Sequence, residues 1–455
     1  MFCQDKNAYE TFKDDEKMQR FCEGYKTFLN SAKTEREAAK FFIKMAAESG
    51  FRPFDKNSRL RSGDKVFIEN RDKSVIFAVI GNRPIQEGVN LIAAHIDSPR
   101  LDLKQNPLYE EIELALLKTH YYGGIKKYQW TAIPLALHGV VVTENGVVDI
   151  NIGEAEEDPV FTVPDLLPHL ARKQMDKKMA VAVEGEELTV LCGGVPMDID
   201  KKKVKANVLD ILKNKFGIVE EDFISAELEV VPAFKAQDIG FDRSFVGGYG
   251  QDDRVCAYTA FLGLTNVEIP DRTAVLLLAD KEEVGSMGCT GMKSHFFEDT
   301  MAVLANATTE RYSDLLLREV LGNSDCLSAD VGAAIDPNHK GVQDAKNAPK
   351  LNHGVLLTKY TGSRGKAGSS DASAEFVGQI RKLFNNNDIA WQIGELGKVD
   401  EGGGGTVAQY IANLNINVVD VGVPLLSMHS PFEVAAKIDI YMAYRAYSAF
   451  LGGGI

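Results

Sequence analysis

The stretch Thr273-Ala-Val-Leu-Leu-Leu-Ala-Asp-Lys-Glu-Glu-Val-Gly285 joins a run of apolar residues to a pair of carboxylates, Glu282 and Glu283. An apolar run without alternating polar positions is typical of a strand buried on both faces of a parallel sheet. Open α/β sheets place their chemistry outside the carboxyl ends of such strands. One acid here could ligate a metal while its neighbour transfers a proton, although Glu-Glu pairs are also common on solvated surfaces.

Four further stretches place reactive side chains after apolar segments or glycines. They are Ala93-Ala-His95-Ile-Asp97-Ser-Pro99, Val246-Gly-Gly-Tyr-Gly-Gln-Asp252-Asp-Arg254, Leu327-Ser-Ala-Asp330-Val-Gly332 and Pro424-Leu-Leu-Ser-Met-His429-Ser-Pro431. His95 and Asp97, two residues apart in an extended segment, point to the same side, so Asp97 can hydrogen-bond the imidazole and fix which nitrogen faces a metal. Each stretch alone also has an ordinary explanation, such as a helix N-cap, a turn or a satisfied strand-end histidine.

The order of these residues is more informative than any one of them. A series of His, Asp, Glu-Glu, Asp and His can hold two divalent metals that share one bridging carboxylate. Each metal then has one imidazole and one further carboxylate, with room for a bridging water. Imidazole with carboxylate suits zinc, and also cobalt or manganese.

Composition limits the class of protein. A chain of 455 residues, with 45% hydrophobic and 25% charged residues, predicts a soluble globular protein of two or three domains. The net charge of −14 argues against nucleic acid or an anionic membrane as the main partner. The first residues do not resemble a signal peptide, and no apolar stretch approaches the ~20 residues of a membrane span. Six scattered cysteines without a Cys-x-x-Cys pair favour a reducing cytoplasm.

The pattern of apolar residues changes twice along the chain. Thr34-Glu-Arg-Glu37 is a capping box that opens a helix, and Ser74–Ile80 and Val89–Ala94 are predicted strands. Alternating segments and the hairpin signal Asn145-Gly146 then predict a β-rich region, after which buried strands again alternate with helices. We therefore predict an α/β fold, with a mixed central sheet flanked by helices, that is interrupted by a mostly β insertion. The predicted parts are an α/β domain over residues 1–104 and 237–455 and an inserted β-rich domain over residues 105–236.

The five stretches together resemble the motifs of the aspartyl aminopeptidase family. The resemblance covers most of the chain, and includes Val231-Pro-Ala233 and an inserted domain in the expected place. It implies a cytoplasmic metallo-aminopeptidase with a zinc-aminopeptidase-like catalytic domain and two metal ions per subunit. The implied ligands are His95 and Asp330 for one ion, Glu283 and His429 for the other, and Asp252 as the bridge between them.

The resemblance also implies the catalytic roles. Glu282 is expected to be the general base, which takes a proton from the bridging water and delivers it to the departing amine. Asp97 is expected to hydrogen-bond the imidazole of His95 and so to orient the nitrogen that faces the metal. The substrate is a peptide with a free amino terminus.

Members of this family cleave N-terminal Asp or Glu, which requires a cation in the side-chain pocket. Lys359 lies where the family has such a lysine, although a solvent-exposed strand-edge lysine is the competing interpretation. His169 matches a histidine that the family presents to a neighbouring subunit's active site, and an ordinary surface histidine is the alternative. The family assembles as a homo-dodecamer, which is therefore the expected form.

One region departs from the family pattern. Residues Tyr121–Trp130 replace a tryptophan-rich stretch at the start of the insertion, which leaves the details of the pocket and the subunit interface open. Two alternatives follow. The same metals could serve a neutral-residue aminopeptidase, a carboxypeptidase or a deacylase, or the chain could be a non-catalytic scaffold that descends from such an enzyme.

Overall fold

The computed structural model describes residues 6–12 and 14–453, which form two compact units. The first unit comprises the chain up to Asp97, Ala236–Met428 and the chain from Phe432. The second comprises Ser98–Lys235 with the short segment His429–Pro431. The second unit starts before residue 105, the predicted start of the insertion, because its first strand runs without a break over Arg100–Glu111.

The strands in the described residues are, in chain order, β1 (Arg52–Pro53), β2 (Lys65–Asn70), β3 (Ser74–Val79), β4 (Asn90–His95), β5 (Arg100–Glu111), β6 (Leu114–Tyr122), β7 (Leu135–Thr143), β8 (Gly146–Ile152), β9 (Thr189–Gly193), β10 (Ala226–Pro232), β11 (Gln237–Ile239), β12 (Phe245–Gly248), β13 (Ala274–Ala279), β14 (Asp325–Ser328), β15 (Gly332–Ala333), β16 (Val355–Thr358), β17 (Gly362–Ser363), β18 (Trp391–Ile393), β19 (Gly403–Gly404), β20 (Asn417–Gly422), β21 (Pro424–Leu426) and β22 (Glu433–Ala436).

The α-helices of the same part of the chain are α1 (Asp15–Ser31), α2 (Glu35–Glu48), α3 (Arg172–Met175), α4 (Met179–Ala182), α5 (Lys203–Phe216), α6 (Gln251–Thr265), α7 (Phe296–Thr308), α8 (Asp314–Gly322), α9 (Ala374–Asn386), α10 (Ala408–Ala412) and α11 (Lys437–Leu451). Short 3-10 helices cover Ala8–Glu10, Ile85–Glu87, Lys127–Trp130, Gly185–Glu187, Glu220–Ser225, Glu282–Val284 and Lys340–Val342. Within the ranges described, no helix is long and apolar enough to cross a membrane.

The first unit is built on a mixed sheet, as predicted. Among the described strands, nine pair in the order β1-β2-β3-β13-β4-β14-β20-β16-β18. The neighbours β13, β4, β14 and β20 are parallel to one another, whereas β3 and β16 on either side of them are antiparallel to their inner neighbours. A smaller sheet in this unit has the order β11-β12-β22-β21-β15.

Helices cover both faces of this large sheet. Leu276 and Leu278 of β13 pack in a core with α1, α2, α6, α9 and α11, whereas Val275 and Leu277 pack in a second core with α7, α8 and α10. A strand that is buried on both faces needs apolar residues at successive positions, which explains the unbroken run in β13. The capping box predicted at Thr34 is present at the start of α2, with the Glu37 amide 3.2 Å from the Thr34 hydroxyl oxygen.

Polar contacts join the amino ends of the central strands. Asp325, the first residue of β14, accepts hydrogen bonds from Arg272 at 2.6 Å and from Asn417 at 3.0 Å. Asn90, the first residue of β4, donates to the carbonyl oxygen of Phe450 at 3.0 Å. These residues pair in register across the sheet, because Asp325 lies opposite both Asn90 and Asn417.

The second unit is an antiparallel sheet, whose strands have the order β8-β7-β10-β5-β6-β9 in the described chain. The Asn145-Gly146 signal marks the β7–β8 hairpin. Helix α5 packs on β5, β6 and β9. This unit is therefore mostly β, in agreement with the pattern of its sequence.

We expect Leu276→Ala to destabilise the first unit by about 2–5 kcal/mol, because it leaves a cavity in a closely packed core. Leu276 is fully buried between β3 and β4, whereas Leu315 on α8 is 78% exposed and offers a matched control. The Leu315→Ala variant is expected to change the free energy of unfolding by no more than about 0.5 kcal/mol. Urea unfolding followed by circular dichroism measures both, and equal losses would contradict the burial of β13.

Candidate metal centre

The parallel strands bring three of the predicted stretches to one edge of the sheet. β4 ends at His95, and β13 ends opposite it at Ala279, three residues before Glu282. β14, on the other side of β4, ends two residues before Asp330. Because the strands are parallel and adjacent, their carboxyl ends coincide and the side chains that follow them converge.

Three of the predicted metal ligands form a cluster within the first unit. His95, Asp252 and Asp330 each offer a ligand atom, and these atoms all lie within 4.8 Å of one another. The Nε2 atom of His95 is 3.1 Å from Oδ1 of Asp252 and 4.0 Å from Oδ1 of Asp330. One imidazole nitrogen facing two carboxylates in a buried position is a donor set that fits zinc. Asp252 also offers a carboxylate oxygen within 4.8 Å of one from Glu283.

Asp97 connects the histidine to the pair of glutamates. Its Oδ1 atom lies 3.3 Å from Nδ1 of His95, so the opposite nitrogen, Nε2, faces the carboxylates. The Asp97 carboxylate also accepts hydrogen bonds from the amides of Glu282 and Glu283, at 3.1 and 3.2 Å. Its position behind His95 follows from the i, i+2 spacing, but its contact with the glutamate segment depends on the pairing of β4 with β13.

The glutamates lie in a short 3-10 helix, Glu282–Val284, and both are half-buried. Lys281 and Gly285 flank this helix with φ values of 65° and 90°, a left-handed conformation that turns the chain sharply at each end. The turn places Glu282 and Glu283 at the carboxyl end of β13 instead of continuing the strand. Since a 3-10 helix has three residues per turn, the side chains of two successive residues leave its axis about 120° apart.

Two acids that the sequence analysis did not select hold Asp252 and His95 in place. Glu433 is buried and pairs with Gly248 where β22 lies beside β12. Its Oε2 atom accepts hydrogen bonds from the amides of Gln251 and Asp252, at 2.6 and 3.2 Å. Asp253 accepts a hydrogen bond from the amide of His95 at 3.3 Å. Glu433 carries one signal in the sequence, since it is a charged residue at the start of the apolar strand Glu433–Ala436, and a buried charge requires partners.

The cluster concentrates negative charge away from water. Burial, followed by the charge of Asp253, raises the pKa of Asp330 well above its usual value. Burial likewise raises the pKa of Asp253, and it raises that of Asp280 to about 7. Burial alone would lower the pKa of His95, but hydrogen bonds to Asp252 and Asp97 raise it well above the usual value. A bound cation would offset this repulsion between buried carboxylates, which is further support for a metal.

Three further predicted residues are His429, Lys359 and His169. His429 follows β21 and belongs to the second unit, where its Nδ1 atom is 2.9 Å from the carbonyl oxygen of Gly124. Lys359 directly follows β16, is 44% exposed at its side chain and binds Oδ1 of Asp371 at 2.7 Å. His169 is exposed in the second unit.

The chain is similar to known proteins over most of its length. The family model described as aminopeptidase I zinc metalloprotease (M18) matches residues 28–451. A probable M18 family aminopeptidase 1 from Clostridium acetobutylicum is 49% identical over 455 residues, which cover 98% of both chains. The crystal structure of an M18 family aminopeptidase from Thermotoga maritima superposes with a TM-score of 0.96 at 44% identity and covers 100% of both chains.

A more distant neighbour, the mApe1 dodecamer of S. cerevisiae, shares the fold with a TM-score of 0.77 at 20% identity, and the match covers 96% of both chains. The family match spans most of the chain, and the relatives match it almost end to end. The resemblance inferred from the five motifs is thereby confirmed, and so is the assignment as a metallo-exopeptidase. The chain belongs to the M18 family, the aminopeptidase I zinc metalloproteases.

Proposed function

We propose that this M18 aminopeptidase removes N-terminal residues, preferentially Asp and Glu, with two divalent metal ions and with Glu282 as general base. The observation that carries the proposal is the convergence of three side chains whose ligand atoms lie within 4.8 Å of one another. His95 and Asp330 lie at the carboxyl ends of the parallel strands β4 and β14, and Asp252 lies in the first turn of α6. Glu283 brings a further carboxylate close to Asp252, so Asp252 has potential metal partners on two sides.

In this proposal His95 and Asp330 would hold one ion, Glu283 and His429 would hold the other, and Asp252 would be shared between them. The position of His429 in the chain supports its role, because it lies in the turn between the paired strands β21 and β22. β22 begins with Glu433, whose carboxylate binds the amide of Asp252. Zinc is the proposed metal, as in the family description, and cobalt or manganese would suit the same nitrogen and oxygen ligands.

The bound metals would supply a water of lowered pKa and polarise the scissile carbonyl. The Glu282 carboxylate then accepts the proton of that water and donates it to the nitrogen of the departing amine. Asp97 holds the amide of Glu282 and contacts His95, so it positions the base and a metal ligand together. The two glutamates cannot exchange these roles, because each carboxylate is directed differently by the short helix that carries both.

We expect the two glutamates to respond differently to substitution by glutamine. Glu282→Gln is expected to lower kcat by about 10²–10⁴-fold while the protein keeps its full metal content, because the base is lost and the ligands are not. Glu283→Gln is expected to lower both the metal content and the activity. Steady-state kinetics and elemental analysis by plasma mass spectrometry measure these effects. Near wild-type activity of Glu282→Gln would show that another group is the base.

Recognition of an acidic side chain would require a cation, and Lys359 is the proposed one. It directly follows β16, and its partly exposed ammonium group already binds a carboxylate, that of Asp371. Lys366 binds the other oxygen of Asp371 at 3.0 Å, so one acid is shared between two lysines. A substrate carboxylate could replace Asp371 at Lys359 while Asp371 remains bound to Lys366.

The same ion pair favours a second candidate function. If Asp371 stays bound to Lys359, the charge of the lysine is neutralised and the site would accept neutral N-terminal residues instead. The metals, the base and the mechanism are the same in both cases. The distinction rests on the N-terminal residue that is cleaved, which makes it directly measurable.

Both candidates are tested by measuring the hydrolysis of four substrates, Asp-, Glu-, Leu- and Lys-p-nitroanilide. The enzymes compared are the wild type, Lys359→Ala and the control Lys366→Ala. We expect Lys359→Ala to lower kcat/KM for the Asp and Glu substrates by about 10–100-fold, because a charge-assisted hydrogen bond is lost, and to leave Leu unchanged. Lys366→Ala keeps the pocket cation and should retain acidic activity. A wild type that prefers Leu, with no effect of Lys359→Ala, would establish the second candidate.

We also propose that the chain acts as a homo-oligomer, a dodecamer as in the yeast neighbour, in a reducing compartment such as the cytoplasm. The cysteines of the described chain are free, which is consistent with a reducing compartment. His169 is exposed on the second unit, as a residue offered to a neighbouring subunit's active site must be.

A complementation assay tests His169. We expect His169→Ala and Glu282→Gln to be inactive separately but to regain about a quarter of wild-type activity after random mixing of subunits, because a head-to-tail interface lets one variant supply each missing group. Sedimentation velocity checks that both variants assemble like the wild type. Full activity of His169→Ala alone, or no recovery on mixing, would exclude a role for His169 in a neighbour's active site.

A further inference from the structure

The second unit contains an apolar cavity that the proposed function does not use. Its volume is about 200 Å³, and all the residues that line it belong to the second unit. One wall is a face of the sheet, with Leu137 of β7, Ile150 of β8 and Leu228 of β10, and another is Leu212 and Phe216 of α5. In another protein, an engineered apolar cavity of about 150 Å³ binds benzene.

The cavity follows from the way in which α5 lies on the sheet. The helix packs on β5, β6 and β9, whereas β7 is contacted by the short 3-10 helix Glu220–Ser225, whose Phe223 also lines the cavity. At the β9 edge the approach is close, because a Cβ atom at Gly193 would lie 2.6 Å from Cγ2 of Val208 on the helix. The gap that remains between the helix and the sheet is walled by apolar side chains and is open to solvent near Lys215 and the half-exposed Ile211.

Lys215 gives the mouth of the cavity a positive charge. Among the described residues that line the cavity, it is the one with a charged side chain. It is exposed, and its ammonium nitrogen lies 5.2 Å from the ring centre of Phe216, which also lines the cavity. The nearby carboxylate of Asp158 already accepts hydrogen bonds from the amides of Gly153 and Ala155. These hydrogen bonds are the main cause of the lowered pKa of Asp158, and the charge of Lys215 contributes less.

We propose that this cavity binds an amphipathic monocarboxylate, whose apolar chain fills the space beneath α5 and whose carboxylate pairs with Lys215. By proportion to benzene in about 150 Å³, the cavity accommodates roughly eight carbon atoms. The apolar walls select the chain, and the single cation at the mouth selects an anionic end over a neutral or cationic one.

Calorimetric titration of the full-length protein with octanoate tests the proposal, with 1-octanol as the neutral probe. We expect saturable binding of one octanoate per subunit. Its affinity should be about 3–5-fold higher than that of 1-octanol, because a partly exposed ion pair contributes little free energy of binding. Lys215→Met retains the length of the side chain and removes its charge. It should weaken octanoate binding to the level of 1-octanol and leave 1-octanol binding unchanged.

A second variant locates the binding site. Cys192 lines the cavity and is half-buried, so Cys192→Met extends a flexible apolar side chain into the space and should weaken the binding of both probes. Circular dichroism and unchanged p-nitroanilide hydrolysis check that both variants fold. The proposal fails if octanoate shows no saturable binding, if Lys215→Met leaves its affinity unchanged, or if Cys192→Met has no effect. Octanoate affinity that falls as the protein concentration rises would show instead that a second copy of the chain covers the cavity.

Discussion

The parallel pairing of β13, β4 and β14 is the constraint on which the rest of the site depends. It aligns three carboxyl ends that are far apart in sequence, and it does so within a sheet whose two faces are both buried. The acids that follow these strands are consequently shielded from water in part. Buried carboxylates repel one another, and a cation is the simplest partner that relieves this repulsion. The same geometry that shelters the site therefore also generates its affinity for metal.

A layer of hydrogen bonds behind the ligands fixes their positions. Asp97 reaches the histidine on one strand and the glutamate segment on the next, and Glu433 holds the backbone that leads into Asp252. Each of these acids uses its carboxylate for backbone amides, which belong to the 3-10 helix Glu282–Val284 and to the helix that starts at Gln251. Metal ligands that are fixed in this way need little rearrangement when an ion binds.

The elements that depend on local sequence could be predicted, and those that depend on tertiary pairing could not. The apolar run of β13, the capping box at Thr34 and the hairpin at Asn145-Gly146 each carry their signal within a few residues. Glu433 and the second contact of Asp97 were missed because they arise from strand pairing across more than 180 residues of sequence. The ion pair between Lys359 and Asp371 was also not predicted, since nothing in the sequence indicates that these two side chains lie close together.

The polar contacts at the opposite ends of these strands have a consequence for the fidelity of folding. Because both faces of the central strands are apolar, a strand shifted by one residue would still bury apolar side chains, and hydrophobicity alone discriminates weakly against that error. Such a shift would move His95 by about 3.3 Å and turn it to the other face. Asn90, Asp325 and Asn417 oppose it, because their hydrogen bonds form only in the correct alignment. Hydrogen bonds at the amino ends of the strands thus fix the register of the site that we propose at their carboxyl ends.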